Sequence, residues 1–250
     1  MGDEHDGKNK HAVYENTNER IGMNEPHIYV IHLKHRTDRK REFMSAWTRA
    51  AYPTEKLHWH AAVLGSALSD EKLANFSTLA RTRKGRAGRV GCYCSHVAAI
   101  QRAIQKNHFP LLVLEDDAIP TSNISLKSLF ESAPPSSKLL YFGALPVKNR
   151  KRMTEYCKNK NKNKNKNKQN GWSAVGAEQE QLYASHAYGF PNRESAQEVL
   201  AFLETHKMTY DSALIRWTKS HKNEVSVYCP FQFIQSEGFS NIEGAKRPTR

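Results

Sequence analysis

No run of apolar residues in this 250-residue chain approaches the roughly 18–20 that a membrane span needs. Residues 1–26 are polar, carry charges of both signs and lack the apolar core of a secretory signal, so a flexible arm on a soluble, cytoplasmic protein is expected. Cysteine is scarce. Cys92, Cys94, Cys157 and Cys229 are too few for a disulfide framework at this length, and inert thiols in a reducing compartment are expected. Cys92, Cys94 and His96 suggest a metal site, but zinc knuckles space their cysteines more widely and need a fourth ligand. Acid is nearly absent from residues 148–168, where ten Lys or Arg stand against one Glu, a net +9. That leaves about +4 of the chain's +13 for everything else, an ordinary balance for a soluble domain. The basic excess is therefore local, which argues against a nucleic-acid protein.

What is present reads as one α/β domain. Its organising stretch is residues 111–118, Leu-Leu-Val-Leu-Glu-Asp-Asp-Ala, held between Pro110 and Pro120. Four apolar residues are too few for a helix and suit a strand buried on both faces. Three acids close it, and charges seldom end a buried strand without a partner. Alternation would put Glu115 and Asp117 on one face and Asp116 on the other, a pair able to hold a hard divalent cation that clamps a diphosphate. An acidic turn paired with Lys and Arg is the plainer alternative.

Other elements fall on either side. Residues 28–31 read as a strand, followed by a helix capped by Thr37 or Asp38 with Phe43, Met44 and Trp47 inward. Residues 57–63 are a second strand candidate. Residues 81–89, basic with two glycines, read as a loop, and a helix follows it to about Lys106. Strands are expected at 138–144, 182–190 and 225–233, and helices at 192–206 and from Asp211. Lys and Asn alternate from Lys158 to Lys168, which implies a disordered loop at about 148–171 inside a domain spanning 27–242; residues 243–250 are expected to be a flexible tail.

In order along the chain stand Ile31-His32-Leu33 with Arg36 and Asp38-Arg39, then Gly91-Cys92 with Ser95-His96, then Leu114-Glu115-Asp116-Asp117. His186-Ala187-Tyr188, Asp211, Gln235 and Ser240-Asn241-Ile242 follow. This series resembles glycosyltransferase family 25, which includes lipopolysaccharide and collagen galactosyltransferases. The resemblance implies a GT-A-type, Rossmann-like nucleotide-sugar-binding fold with a central, mostly parallel sheet. It also implies a nucleotide-sugar donor (UDP-galactose foremost), a divalent cation, usually Mn²⁺, a glycan or glycoprotein acceptor, and inversion at the anomeric carbon. The chain departs from the family pattern at His32, Arg89 and Asn241, where Asn, an acid and Asp are usual.

On this reading Glu115, Asp116 and Asp117 hold the metal, and His32, Leu33, Arg36, Arg39, Ser95 and His96 bind the donor. Ser95 and His96 are expected near a helix start, whose amides favour anions; His96 is equally readable as a structural histidine, and Arg39 as part of a solvated helix face. Asp211 is the candidate base for the acceptor hydroxyl, or simply a helix cap. His186 and Gln235 are candidates for the acceptor site or the metal shell. The competing function is a degenerate, non-catalytic module that grips an acidic polymer such as nucleic acid. The lysine tract favours that reading, while its lack of interleaved aromatics and the intact acidic triplet oppose it.

Overall fold

The computed structural model describes residues 23–146, 171–175, 182–236, 238–240 and 245–247. The Lys/Asn tract and residues 1–22 of the expected arm lie outside the described residues. Met23, at the end of that arm, packs against the core and Pro26 is buried, so the chain is anchored four residues before its first strand.

Seven strands form the central sheet: β1 (His27–His32), β2 (Leu57–Ala61), β3 (Leu111–Glu115), β5 (Leu139–Pro146), β6 (Gly171–Ala174), β7 (Leu182–Phe190) and β8 (Val225–Cys229). Their order is β2-β1-β3-β7-β5-β8-β6. The pairs β1–β2, β1–β3 and β5–β8 are parallel, whereas β3–β7, β5–β7 and β6–β8 are antiparallel. The sheet is thus evenly mixed, because β7 enters between β3 and β5, and β6 lies beside β8, in the opposite sense.

Strand alternation sorts side chains onto two apolar layers. Tyr29, Ile31, Leu111, Val113, Tyr141 and Tyr188 share one cluster with α3 (Arg83–Lys106), α5 (Arg193–Thr205) and α6 (Tyr210–Ser220). Ile28, Val30, Leu112, Leu114, Leu140 and Phe142 share the other with α1 (Thr37–Arg49) and α4 (Leu126–Glu131). A strand of the β3 kind, apolar and buried at its first four positions, is what this double covering requires. The short α2 (Asp70–Ala74) is capped by Ser69. No helix among the described residues is long and apolar enough to cross a membrane.

Several expectations need correction. Neither Thr37 nor Asp38 caps α1; the cap position is Arg36, and Asp38 instead binds the Arg36 guanidinium at 2.7 Å. The residue 81–89 run is not a loop but the first two turns of α3, capped by the Thr82 hydroxyl, which accepts from the Gly85 amide. Its glycines lie inside the helix rather than at a chain reversal. Gly91 shows what a helical glycine does here: a Cβ on it would lie 2.8 Å from the Val63 carbonyl, so the missing side chain lets the chain after β2 lie against the helix. Gly171–Ala174 forms an edge strand with Trp172 buried, where only irregular chain was expected. The strand expected over 225–233 is split into β8 and β9 (Phe233–Gln235), the latter paired with β4 (Ala118–Pro120). Residues 245–247 are not loose tail: β11 (Ala245–Arg247) pairs with β10 (Gly238–Ser240). Cys92 and Cys94 are not in disulfides, but Cys229 is disulfide-bonded, which overturns the inert-thiol reading there and removes the ground for a reducing compartment.

Candidate active site

The carboxyl ends of β1, β2 and β3 open onto a cavity of about 660 Å³, the position where open α/β sheets place ligands. Ile31 and Leu33 line it from β1, Ala62 to Ser66 from the chain after β2, and Glu115 to Asp117 from the end of β3. The opposite wall is α3, through Arg83, Lys84, Ala87, Gly88, Cys92, Ser95 and His96. Close approach of this wall depends on Gly65, whose absent Cβ would overlap the Ala87 carbonyl, and on Ser95. The Ser95 hydroxyl accepts from the Val63 amide at 2.8 Å and donates to the Gly91 carbonyl at 2.6 Å.

β3 ends at Glu115, and Asp116–Asp117 form a turn, so the strand alternation stops one residue short of the two aspartates. They are instead brought together by Arg39, whose Nη1 donates to Asp116 Oδ1 at 2.7 Å and to Asp117 Oδ2 at 3.2 Å. Asp116 Oδ2 also lies 2.9 Å from His32 Nδ1. Both Asp116 oxygens are thereby engaged. Asp117 Oδ1 is buried with no hydrogen-bond partner among the described residues. Burial and the Glu115 charge outweigh Arg39 and push the Asp117 carboxyl up to about 6. Glu115 Oε1 lies 3.4 Å from His96 Nε2. Burial pushes His96 down to about 4 against the opposing pull of Asp211, so its imidazole is neutral at pH 7.

The sequence profile described as glycosyltransferase family 25 (LPS biosynthesis protein) matches residues 25–214, the strands and helices that build this cavity. The chain belongs to glycosyltransferase family 25. Two proteins, each described as a glycosyltransferase 25 family member, are similar to it over shorter stretches. One, from Anopheles gambiae, is 31% identical over 99 residues, which is 36% of this chain and 16% of that protein. The other, from Aedes aegypti, is 28% identical over 116 residues, 43% of this chain and 18% of that protein. The aligned stretches thus span less than a fifth of either mosquito protein.

Of the residues singled out for this family's chemistry, Leu33, Arg39, Ser95, His96, Glu115, Asp116 and Asp117 line the cavity. His32 stands behind Asp116, and Arg36 pairs with Asp38 instead of facing the cavity. Ser95 and His96 sit in the middle of α3, not at its start, so the amide-rich helix end expected beside them lies at Arg83 and Lys84. His186 is fully buried with Nε2 3.3 Å from the Phe233 carbonyl, and it fits only because Gly143 opposite lacks a Cβ. Gln235 is buried and its Oε1 has no hydrogen-bond partner among the described residues. Asp211 lies in the first turn of α6 but does not cap it; the Thr209 hydroxyl accepts from the Ser212 amide. Residue 241 lies outside the described residues.

Arg83, Lys84 and the residue 62–66 segment were missed as site residues. The basic run at 81–89 was the available signal for the first two.

Proposed function

We propose that this protein is a metal-dependent, inverting glycosyltransferase that moves a sugar, with galactose the first to test, from a UDP-sugar onto a hydroxyl of a glycan or glycoprotein. The observation that carries this reading is one cavity with a buried acidic cluster at one end and Arg83 and Lys84 at a helix start on its wall. A polyanion-binding module would not line its groove with three carboxylates.

The residues fit a hard divalent cation such as Mn²⁺. Asp117 Oδ1 is a buried carboxylate oxygen with no hydrogen-bond partner among the described residues, the kind of hard donor such a cation takes. Asp117 with Glu115 would hold the cation, with Asp116 adjacent and Gln235 and His186 as the further shell. Bound there, the cation supplies positive charge to a departing diphosphate. The chain's own part is positioning. Arg39 keeps Asp116 and Asp117 fixed, Lys84 adds positive charge where phosphates would lie beside Arg83, which Asp70 holds at 2.7 Å, and Leu33, Ala62 and Val63 give a nucleotide an apolar wall. Asp211 is the candidate base. Thr209 caps α6, the Asp211 charge reaches His96 on the cavity wall, and Asp211 would take the proton of the acceptor hydroxyl.

The test is thermal unfolding with UDP, with and without Mn²⁺, followed by donor hydrolysis across a panel of nucleotide sugars. Stabilisation by UDP that requires Mn²⁺ is expected. Asp117→Ala should abolish both that stabilisation and turnover while the far-ultraviolet circular dichroism stays native. UDP stabilisation that ignores the metal, or stabilisation by DNA alone, would overturn the reading.

A further inference from the structure

α3 carries Cys92 and His96 one helical turn apart, on the same face, and the end of β3 brings Glu115 against them. The Sγ of Cys92, an imidazole nitrogen of His96 and a carboxylate oxygen of Glu115 all lie within 4.8 Å of one another. His96 Nε2 and Glu115 Oε1 are 3.4 Å apart. Tetrahedral coordination with nitrogen and oxygen ligands at about 2.0–2.1 Å places such donors about 3.3–3.4 Å from each other. We propose that Cys92, His96 and Glu115 form a binding site for a thiophilic transition-metal cation, Zn²⁺ foremost, on the wall of the cavity.

The surroundings suit that role. His96 Nδ1 is 3.0 Å from the Tyr188 hydroxyl, and the Tyr210 ring stacks on the imidazole at 4.0 Å. With Nε2 turned to the metal, Nδ1–H donates to the Tyr188 oxygen, the kind of outer hydrogen bond that fixes a ligating imidazole. All three donors line the cavity, so three protein ligands leave a fourth position open to solvent or to a small molecule. Metal binding displaces the Cys92 thiol proton to solvent and forms the sulfur–metal bond. Ligand softness separates this site from the oxygen donors around Asp117: a thiolate and an imidazole select zinc over manganese or magnesium. Glu115 is common to both sets, so zinc here would compete with the cation proposed for transfer. The zinc site does not itself depend on the chain being a transferase.

Cys94 supplies the control. It lies two residues along the same helix, packs against the core and is not part of the cavity wall, and burial pushes its thiol up. The three-histidine cluster His27, His58 and His108 at the far end of the sheet also brings nitrogen donors within 4.8 Å, but it offers no sulfur.

The experiment is an anaerobic Co²⁺ titration of the full chain followed by absorption spectroscopy, then displacement by Zn²⁺. A near-ultraviolet thiolate-to-cobalt charge-transfer band that saturates at one equivalent and is bleached by Zn²⁺ is expected. Cys94→Ser should keep the band. Cys92→Ser should lose it and weaken Zn²⁺ binding by at least about 100-fold, more than the loss of an outer hydrogen bond costs. Visible d–d bands without a thiolate band would mean that cobalt sits on histidines alone, and the proposal falls. It falls equally if the band survives in Cys92→Ser or vanishes in Cys94→Ser. Should Cys92→Ser fail to fold, the wild-type and Cys94→Ser spectra still decide. None of these readouts uses activity, so a missing band overturns the zinc site and leaves the transferase reading untouched.

Discussion

The three neighbouring parallel strands β1, β2 and β3 end in opposite chemistry. At their amino ends His27, His58 and His108 meet, with His27 and His108 stacked at 3.9 Å and His27 Nδ1 3.0 Å from His58 Nε2. The Tyr29 hydroxyl closes this group on His108 Nδ1 at 3.0 Å. Burial, each other's charge and nearby Lys56 hold His27 down at about 4, so this end is neutral and pairs within itself. At the carboxyl ends three acids face one shared arginine, an Asp117 oxygen has no hydrogen-bond partner among the described residues, and a cavity opens beside them. Polar groups that satisfy one another build structure. Polar groups left short of partners and beside a cavity are where a ligand completes the arrangement. α3 runs from Arg83 and His96 at the acidic end to Arg102, whose charge reaches His58 and His108 at the other, so one helix serves both.

The sharpest way to break this comparison is a carboxylate-to-amide change at the acidic end set against a histidine change at the other. Asp211→Asn removes the group proposed to accept the hydroxyl proton while Thr209 still caps the helix. The chemical step should slow by about 10²–10⁴-fold with UDP affinity nearly unchanged. His58→Gln should leave turnover within about twofold, since it sits with His27 and His108 at the amino ends of the strands, away from the acidic cluster. Initial-rate kinetics beside UDP titration measures both. Near-normal transfer by Asp211→Asn would sink the base assignment.

Next in size is stability. Arg39→Met keeps much of the side-chain volume but strips Asp116 and Asp117 of their shared partner, and both carboxylates are buried. Uncompensated buried charge should lower unfolding stability by about 3 kcal/mol at pH 7, seen as a lower denaturation midpoint with an unchanged slope. Mn²⁺ should recover part of that loss, because a cation can take over the arginine's role between the carboxylates. Loss of stability that Mn²⁺ does not touch would separate the ion pair from the metal reading.

The two ends were unequally legible in sequence. The apolar run before Glu115 and the β-branched run after His27 announced their strands because burial on both faces leaves no room for polar residues. The acids announced themselves because charge at the end of such a strand demands a partner. Which partner was invisible: Arg39 is 77 residues from Asp116, and only the packing of α1 against β4, the strand that follows the acids, brings them together. The α3 wall is hard to read because Gly85 and Gly88 lie inside the helix and Gly91 serves close approach to Gly65 and Val63, and glycine looks the same in a helix as in a chain reversal. The histidine cluster was not seen at all, since His27, His58 and His108 come from three separate segments. Trp172, in an edge strand beside a low-complexity tract, was masked by its neighbours' composition.

The smallest expected effect tests whether the two ends respond to acid with opposite sign. At the amino ends His27 is depressed when folded, so the unfolded chain binds its proton first. That contribution to stability is complete above the ordinary histidine value of 6.5 and is lost as pH falls toward about 4. At the carboxyl ends Asp117 is raised when folded, so the folded chain binds its proton first. Stability from this group is complete below its ordinary value of 3.8 and is lost as pH rises through about 6. Between pH 6.5 and 4 the two terms oppose each other and flatten the wild-type curve. Asp117→Asn removes the acid's term, so metal-free protein should be more stable than wild type at pH 7 and should lose that advantage on acidification. His27→Gln removes the histidine's term and should tilt the curve the other way, by only about 2–4 °C in melting temperature, because solvent screens this partly exposed ring. Melting curves at half-unit steps from pH 7 to 4, with chelator present, give both slopes. Two variants tilting in the same direction would show that the ends are not electrostatically independent and that α3 couples them.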